Sequence, residues 1–225
     1  MPHVQRRAGG RQTLPRPANW RALEHAPWSR LDVSALDDLS LITGSVERSR
    51  PDPESQRPPA HANPSAVLVP LFAASDGPRV LLTRRSEALT SHKGQIAFPG
   101  GRLEAGETSL QAALRETREE IGVDASSARV IGELSAHRTI SSSSHIIPHV
   151  VQLAAEPHEF AMNSEVERVF SVSLRELTRP DTYAQEHWVF PDREVVVPMF
   201  YLDDETIWGA TARMLQELIL IALTK

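Results

Sequence analysis

From residue 66 onward the apolar positions gather into short runs separated by turn residues. Residues 66–72 and 79–83 are rich in valine and leucine, and Ser75-Asp76-Gly77-Pro78 between them is a turn signature, so the two predict a hairpin. Further strands are predicted over 129–137, 146–153 and 169–172, the last leading into a short helix capped by Ser173 with Glu176. Residues 188–190 and 194–201 flank Pro191-Asp192-Arg193 as a second hairpin. Two segments carry helical periodicity instead. Over 108–121, Leu110, Ala113, Leu114, Thr117 and Ile121 recur at spacings of three and four, with Thr108 and Gln111 as a capping box and Gly122 as a stop. Over 205–223, Ile207, Ala210, Met214, Leu215, Leu218, Ile221 and Ala222 form a similar stripe, with Asp204 as its expected N-cap. Strands interleaved with a central and a closing helix give the α/β class.

The first 60 residues read differently. Arg6, Arg7, Arg11, Arg16 and Arg21 precede the first acid, Glu24, among prolines and glycines, and almost no apolar periodicity appears before Trp20. Such a start resembles a transit peptide or a nucleic-acid arm, but composition favours a partly disordered tail, dispensable for chemistry. Residues 20–46 suggest short helical pieces that pack on the domain or on a second copy in a homodimer, and proline-rich 51–64 reads as a linker. The expected organisation is an N-terminal extension over 1–60 and a catalytic domain over 61–225.

Composition narrows the chemistry. The chain of 225 residues is 40% hydrophobic, enough for a full core, and its lack of cysteine excludes disulfides, thiolate nucleophiles and cysteine-ligated zinc. A reducing, cytoplasmic setting is the default expectation. No run approaches the roughly 20 apolar residues of a membrane span. The net charge is −5, with nine arginines against seven acids up to residue 60, so the remainder is acidic and no nucleic-acid partner is expected.

The candidate chemistry lies on the central helix. Glu116, Glu119 and Glu120 fall at i, i+3 and i+4 on a face other than the apolar stripe, where mutual repulsion opposes folding unless a cation is shared. Oxygen-rich clusters suit Mg²⁺ or Mn²⁺, which also bind substrate phosphates. Glutamate-rich faces are commonly just solvated, and Arg115 with Glu119 makes an ordinary i, i+4 pair. The helix alone favours that reading.

Gly101, five residues, Glu107, seven residues, then Arg115-Glu116-Thr117-Arg118-Glu119-Glu120-Ile121-Gly122-Val123 resembles the Nudix box, departing only at Thr117, where an aliphatic residue is usual. The preceding Leu81-Leu82-Thr83-Arg84-Arg85-Ser86, with Gly94 and Phe98-Pro99-Gly100-Gly101, is similar to the signature of the coenzyme A pyrophosphatase branch of that family. It departs at Thr90, where the branch usually carries arginine or another nitrogen-bearing residue, with His92 and Lys93 close enough to substitute. Residues 207–212 also resemble the branch, and the likeness spans roughly 65–224.

The resemblance implies a Nudix α/β/α sandwich with mixed β-sheets. It implies metal-dependent hydrolysis of coenzyme A, or its thioesters, to 3′,5′-ADP and 4′-phosphopantetheine, a small-molecule substrate with water as nucleophile. Glu116, Glu119 and Glu120 would hold Mg²⁺ or Mn²⁺, Glu116 or Glu120 would take the proton, and Arg115 with Glu107 would fix the loop against the helix. Arg84, Arg85, Ser86, Phe98, Gly100 and Gly101 would bind substrate. Glu165 and Glu167 are candidates for a further acid. The nearer alternative is a Nudix enzyme for ADP-ribose or NADH; the more distant ones are a non-catalytic Nudix module and serine–histidine catalysis from Ser141 to Ser144 with His145 and His149.

Overall fold

Alternate side chains of one long strand, Asn63–Ala74, enter two different cores, and this period-two division organises the molecule. Ala66, Leu68 and Phe72 join one buried cluster, whereas Val69 and Leu71 join another. The computed structural model describes residues 5–23, 25–138 and 144–224. In chain order the elements are β1 (Arg21–Leu23), a 3-10 turn (Ser34–Asp37), α1 (Leu39–Arg48), β2 (Asn63–Ala74), β3 (Gly77–Arg85), β4 (Ile96–Ala97), β5 (Gly100–Arg102) and α2 (Ser109–Ile121). There follow β6 (Arg129–Glu133), β7 (His137–Arg138), β8 (Ser144–Gln152), β9 (Val166–Ser173), α3 (Leu174–Leu177), β10 (Tyr183–Val189), β11 (Glu194–Tyr201), β12 (Thr206–Ile207) and α4 (Gly209–Leu223).

The larger sheet has the path β4-β3-β2-β8-β6, with β5, β7 and β9 attached to β2, β8 and β3. It is mixed, because β2 and β8 run parallel over nine paired residues while the other pairs are antiparallel. Helix α2 covers one face through Ala112, Ala113 and Ile121; α1 and α4 cover the other through Ile42, Val46, Leu215 and Leu218. The smaller antiparallel sheet, β1-β10-β11-β12, extends that second layer. This is the α/β/α sandwich with mixed sheets that the resemblance implies.

The β2–β3 hairpin forms as predicted, with Ala74 opposite Gly77, whose φ of 114° suits only glycine comfortably. Three expectations shift. Helix α4 begins at Gly209 with Trp208 as N-cap, rather than after Asp204, because Thr206 and Ile207 pair with Tyr201 and Phe200 as β12. Strand β10 starts at Tyr183, earlier than its apolar run, since the acid that interrupts the pattern, Glu186, is itself fully buried and satisfied. Ser173 stands at the N-cap of α3 without a side-chain cap bond, and Glu176 pairs with Arg7 instead.

Arg7 belongs to the segment expected to be a disordered tail. Residues 5–23 run along the smaller sheet instead, and Gln12, Leu14 and Arg16 face inward while Arg11, Thr13 and Pro15 face solvent. The anchors are polar, which apolar periodicity does not register. Arg16 grips the fully buried Glu186 through Nε at 2.8 Å and Nη2 at 2.8 Å, and Trp188 Nε1 donates to the same carboxylate at 2.7 Å. Trp28 packs against Tyr183 with ring centroids 4.4 Å apart, so this part of 20–46 packs on its own domain.

Candidate active site

Helix α2 carries the acids, and its ends are set locally. Thr108 and Gln111 form the reciprocal capping box, and Gly122 closes the helix in the left-handed conformation at φ 75°. Thr117 is fully buried, and its hydroxyl donates to the Ala113 carbonyl at 2.7 Å, so the one departure from the aliphatic pattern satisfies its polar atom within the helix. Arg115 ties the preceding turn to the helix. Its Nε and Nη2 donate to Glu107 at 2.8 and 3.1 Å, and Nη2 also reaches the Arg102 carbonyl at 3.1 Å. The pairing holds the Glu107 carboxyl below its usual range.

Glu116 and Glu120 face the turn that β5 forms with its neighbours. Gly101 leaves the space that the Glu116 carboxylate fills, since a Cβ there would lie 2.5 and 2.7 Å from the two carboxylate oxygens. Glu120 is buried, accepts from the Gly100 amide at 3.0 Å and has Arg85 at 3.8 Å. Burial pushes the Glu120 carboxyl up to about 7, against the Gly100 amide and Arg85 and with help from Glu116 and Glu165. Burial likewise raises Glu116, opposed by Arg115 and reinforced by Glu119 and Glu165.

The expected triad of metal ligands is not gathered at one point. Among the described residues no three acidic, histidine or cysteine side chains converge as a metal cluster. Arg115 Nη1 lies across Glu116 and Glu119 at 3.0 and 3.1 Å, and Gly100 holds Glu120. The donor set nevertheless fits a hard divalent cation: Glu116 and Glu120 are partly desolvated carboxylates, Glu120 raised by Glu116 and both raised by Glu165, with Glu119 acting on Glu116, and a shared cation removes that conflict.

Arg84 and Arg85 are separated by the sheet. Arg85 turns toward α2, 3.5 Å from Glu165 and 3.8 Å from Glu120. Arg84 turns to the other layer, donating to the fully buried Glu205 at 2.9 Å and to Glu167 at 3.1 Å. Of the two later acids, Glu165 therefore joins the carboxylate group and Glu167 does not. A cleft of about 370 Å³ opens beside Gly100 and Gly101, and Arg85 lines it while Arg84 does not. Phe98 borders the cleft but is 3% exposed and belongs to the main core. Ser86 lies off the cleft, its hydroxyl accepting from the Ala88 amide at 3.2 Å. His92 contributes to the lining; Thr90 and Lys93 are exposed and do not.

Three cleft arginines escaped the sequence reading: Arg102, Arg138 and Arg213. Arg213 donates to the Val196 carbonyl at 2.8 Å, and burial without a compensating carboxylate lowers its pKa. Its one sequence signal was its place next to the 207–212 motif. The serine–histidine alternative finds no support. Ser141 to Ser143 lie outside the described residues, His145 is buried with Nε2 2.8 Å from the Ser55 carbonyl, and His149 is buried with Nε2 2.9 Å from Ser109 Oγ. Neither histidine lines the cleft.

Comparison with known proteins agrees with this geometry. The NUDIX domain family matches residues 62–193. A protein of Yersinia enterocolitica named "Uncharacterized Nudix hydrolase NudL" is 35% identical over 185 residues, which cover 80% of this chain and 91% of that protein. Nudix hydrolase 3 of Caenorhabditis elegans is 40% identical over 117 residues, covering 51% of this chain and 49% of that one. Among solved structures, a MutT/nudix family protein from Enterococcus faecalis aligns with a TM-score of 0.48 at 17% identity, covering 83% of this chain and 73% of that one. No described helix is long and apolar enough to cross a membrane. With its box helix, its glycine turn and a family match across more than half its length, the chain belongs to the Nudix hydrolases.

Proposed function

We propose that the chain hydrolyses the pyrophosphate bond of coenzyme A or an acyl derivative, releasing 3′,5′-ADP and 4′-phosphopantetheine or its acyl form. The observation that carries this reading is an arginine-lined cleft, with Arg85, Arg102, Arg138 and Arg213 on its walls, that opens at the Gly100–Gly101 turn, the same turn on which the Glu120 and Glu116 carboxylates rest. A multiply anionic substrate suits such walls, because guanidinium groups bind phosphate oxygens through paired, charge-assisted hydrogen bonds. The 81–101 signature supports coenzyme A over other nucleoside diphosphate derivatives.

Glu116 and Glu120, with Glu119 at their edge, are the residues to hold Mg²⁺ or Mn²⁺, which when bound supplies charge neutralisation on the pyrophosphate and acidifies water. The arginines of the cleft bind and orient the phosphates. Glu116 or Glu120 accepts the proton of the attacking water, and Arg115 with Glu107 keeps the turn seated on the helix, a positioning role. Mass spectrometry of products after incubation with coenzyme A, ADP-ribose and NADH, with and without Mg²⁺, tests the assignment. Mg²⁺-dependent 3′,5′-ADP from coenzyme A is expected; turnover of ADP-ribose or NADH alone moves the substrate to those compounds.

A further inference from the structure

The loop from Ser86 to Gln95 contributes Ser91, His92 and Gln95 to the cleft, and it is built to hold one shape. His92 and Gly94 both take positive φ, 56° and 62°, and Gln95 Oε1 lies 2.9 Å from His92 Nδ1. At its base the loop closes on itself, as the Arg85 amide donates to the Gln95 carbonyl at 3.0 Å and the Gly94 amide to the Arg85 carbonyl at 3.1 Å. The Ser86 amide donates to the Glu165 carbonyl at 2.7 Å and Arg84 and Arg85 pair with β9, and two polar side chains far apart in sequence add to this hold on the base.

One is Glu205, fully buried between β11 and β12. It accepts from Arg84 at 2.9 Å, where the chain enters the loop, and from Arg168 at 2.9 Å. The other is Gln12, whose side-chain amide uses both its donor and acceptor atoms. Its Nε2 donates to the Gly94 carbonyl at 3.1 Å, where the chain leaves the loop, and to Glu205 at 2.6 Å; its Oε1 accepts from the Thr206 amide at 2.9 Å. The neighbouring Gly10 amide donates to Thr206 Oγ1 at 3.0 Å, so the arm is seated on the same strand. Trp208 and Gly209, two and three residues beyond Thr206, also line the cleft. A single amide side chain thus joins two segments that lead into its lining.

We infer that Gln12, on the N-terminal arm, is a positioning residue for substrate binding: it locks the exit of the 86–95 loop to the Glu205–Thr206 segment and so sets the cleft's width. This rests on the reading that the cleft takes the substrate. Because the lock acts on the wall and not on Glu116 or Glu120, its loss raises KM and leaves kcat in place. The arm is accordingly part of the site's frame, contrary to the expectation of a dispensable tail.

The test compares Gln12→Leu with Arg7→Gln in the full-length chain. Arg7 anchors the same arm to Asp203 and Glu176 but does not touch the loop. With coenzyme A and Mg²⁺, Gln12→Leu is expected to raise KM about fivefold or more at unchanged kcat, as three hydrogen bonds are lost, while Arg7→Gln keeps the wild-type KM. Hydrogen exchange, read without substrate, is expected to quicken across 86–95 in Gln12→Leu alone. Unchanged KM and exchange in Gln12→Leu overturn the proposal, as does an equal fall in kcat in both variants, which makes the arm a fold support only. If the wild type leaves coenzyme A intact, the coenzyme A assignment fails, and the exchange measurement decides the role of Gln12 by itself.

Discussion

Arg84 and Arg85 are neighbours in sequence yet pair with acids in different layers, Arg84 with Glu205 and Arg85 with Glu120. Successive residues of a strand point to opposite faces, so a tandem arginine on β3 divides its work between structure and site. Arg84→Gln removes one of the cations around a buried carboxylate, and a loss of about 2–3 kcal/mol of stability is expected. Arg85→Gln is expected to raise KM with little change in melting temperature. Thermal denaturation alongside Michaelis kinetics separates the two. Equal melting losses in both variants would contradict the division.

The carboxylates of α2 should rank by burial. Glu120 is 4% exposed and held by the Gly100 amide, whereas the Glu119 side chain is 56% exposed and engaged at its tip by Arg115. Replacing a buried carboxylate by an amide keeps the shape and removes the charge that a cation requires. Glu116→Gln and Glu120→Gln are expected to lower kcat by roughly two orders of magnitude or more, and Glu119→Gln by less. Circular dichroism shows whether the fold survives, and near-normal turnover in Glu120→Gln would remove the acid helix from the chemistry.

Arg16 and Glu186 give a purely structural prediction. Glu186 is fully buried, and Arg16 is its one cationic partner among the described residues, so Arg16→Leu leaves an uncompensated charge in the smaller sheet. About 3 kcal/mol of destabilisation is expected. The double variant Arg16→Leu with Glu186→Gln should recover much of the loss, because the charge is gone as well. Urea denaturation of Arg16→Leu, Glu186→Gln and the double variant closes the cycle; additive losses would show that the pair does not interact.

Much of this was legible because it was local. The capping box at Thr108, the left-handed Gly122 and the Gly101-to-Glu120 spacing are set by residues close in sequence, and all appear where the pattern places them. The β2–β3 hairpin is of the same kind. What escaped depends on long-range polar pairing. Nothing near Gln12 or Arg16 announces Glu205 or Glu186 more than 160 residues away, and low apolar content there reads as disorder. The choice of face for Arg84 follows from strand phase, which the motif alone does not state. Arg102, Arg138 and Arg213 meet only once β5, β7 and α4 assemble.

The two glycines of the turn separate folding from catalysis. A Cβ on Gly100 would meet the Ala66 carbonyl oxygen and lie 2.6 Å from Val67 Cα, both backbone atoms of β2 that cannot withdraw, and its φ of 149° disfavours any side chain. Gly100→Ala is therefore expected to destabilise the protein strongly, by about 3 kcal/mol or more. At Gly101 the obstacle is the end of a flexible side chain, the Glu116 carboxylate, which can swing aside at small cost to the fold. Gly101→Ala should thus melt near the wild-type temperature while losing turnover, because Glu116 is displaced from the turn and from Glu120. Denaturation and kinetics on both variants decide the matter, and a fully active Gly101→Ala would mean that the chemistry does not use Glu116 where the turn now seats it.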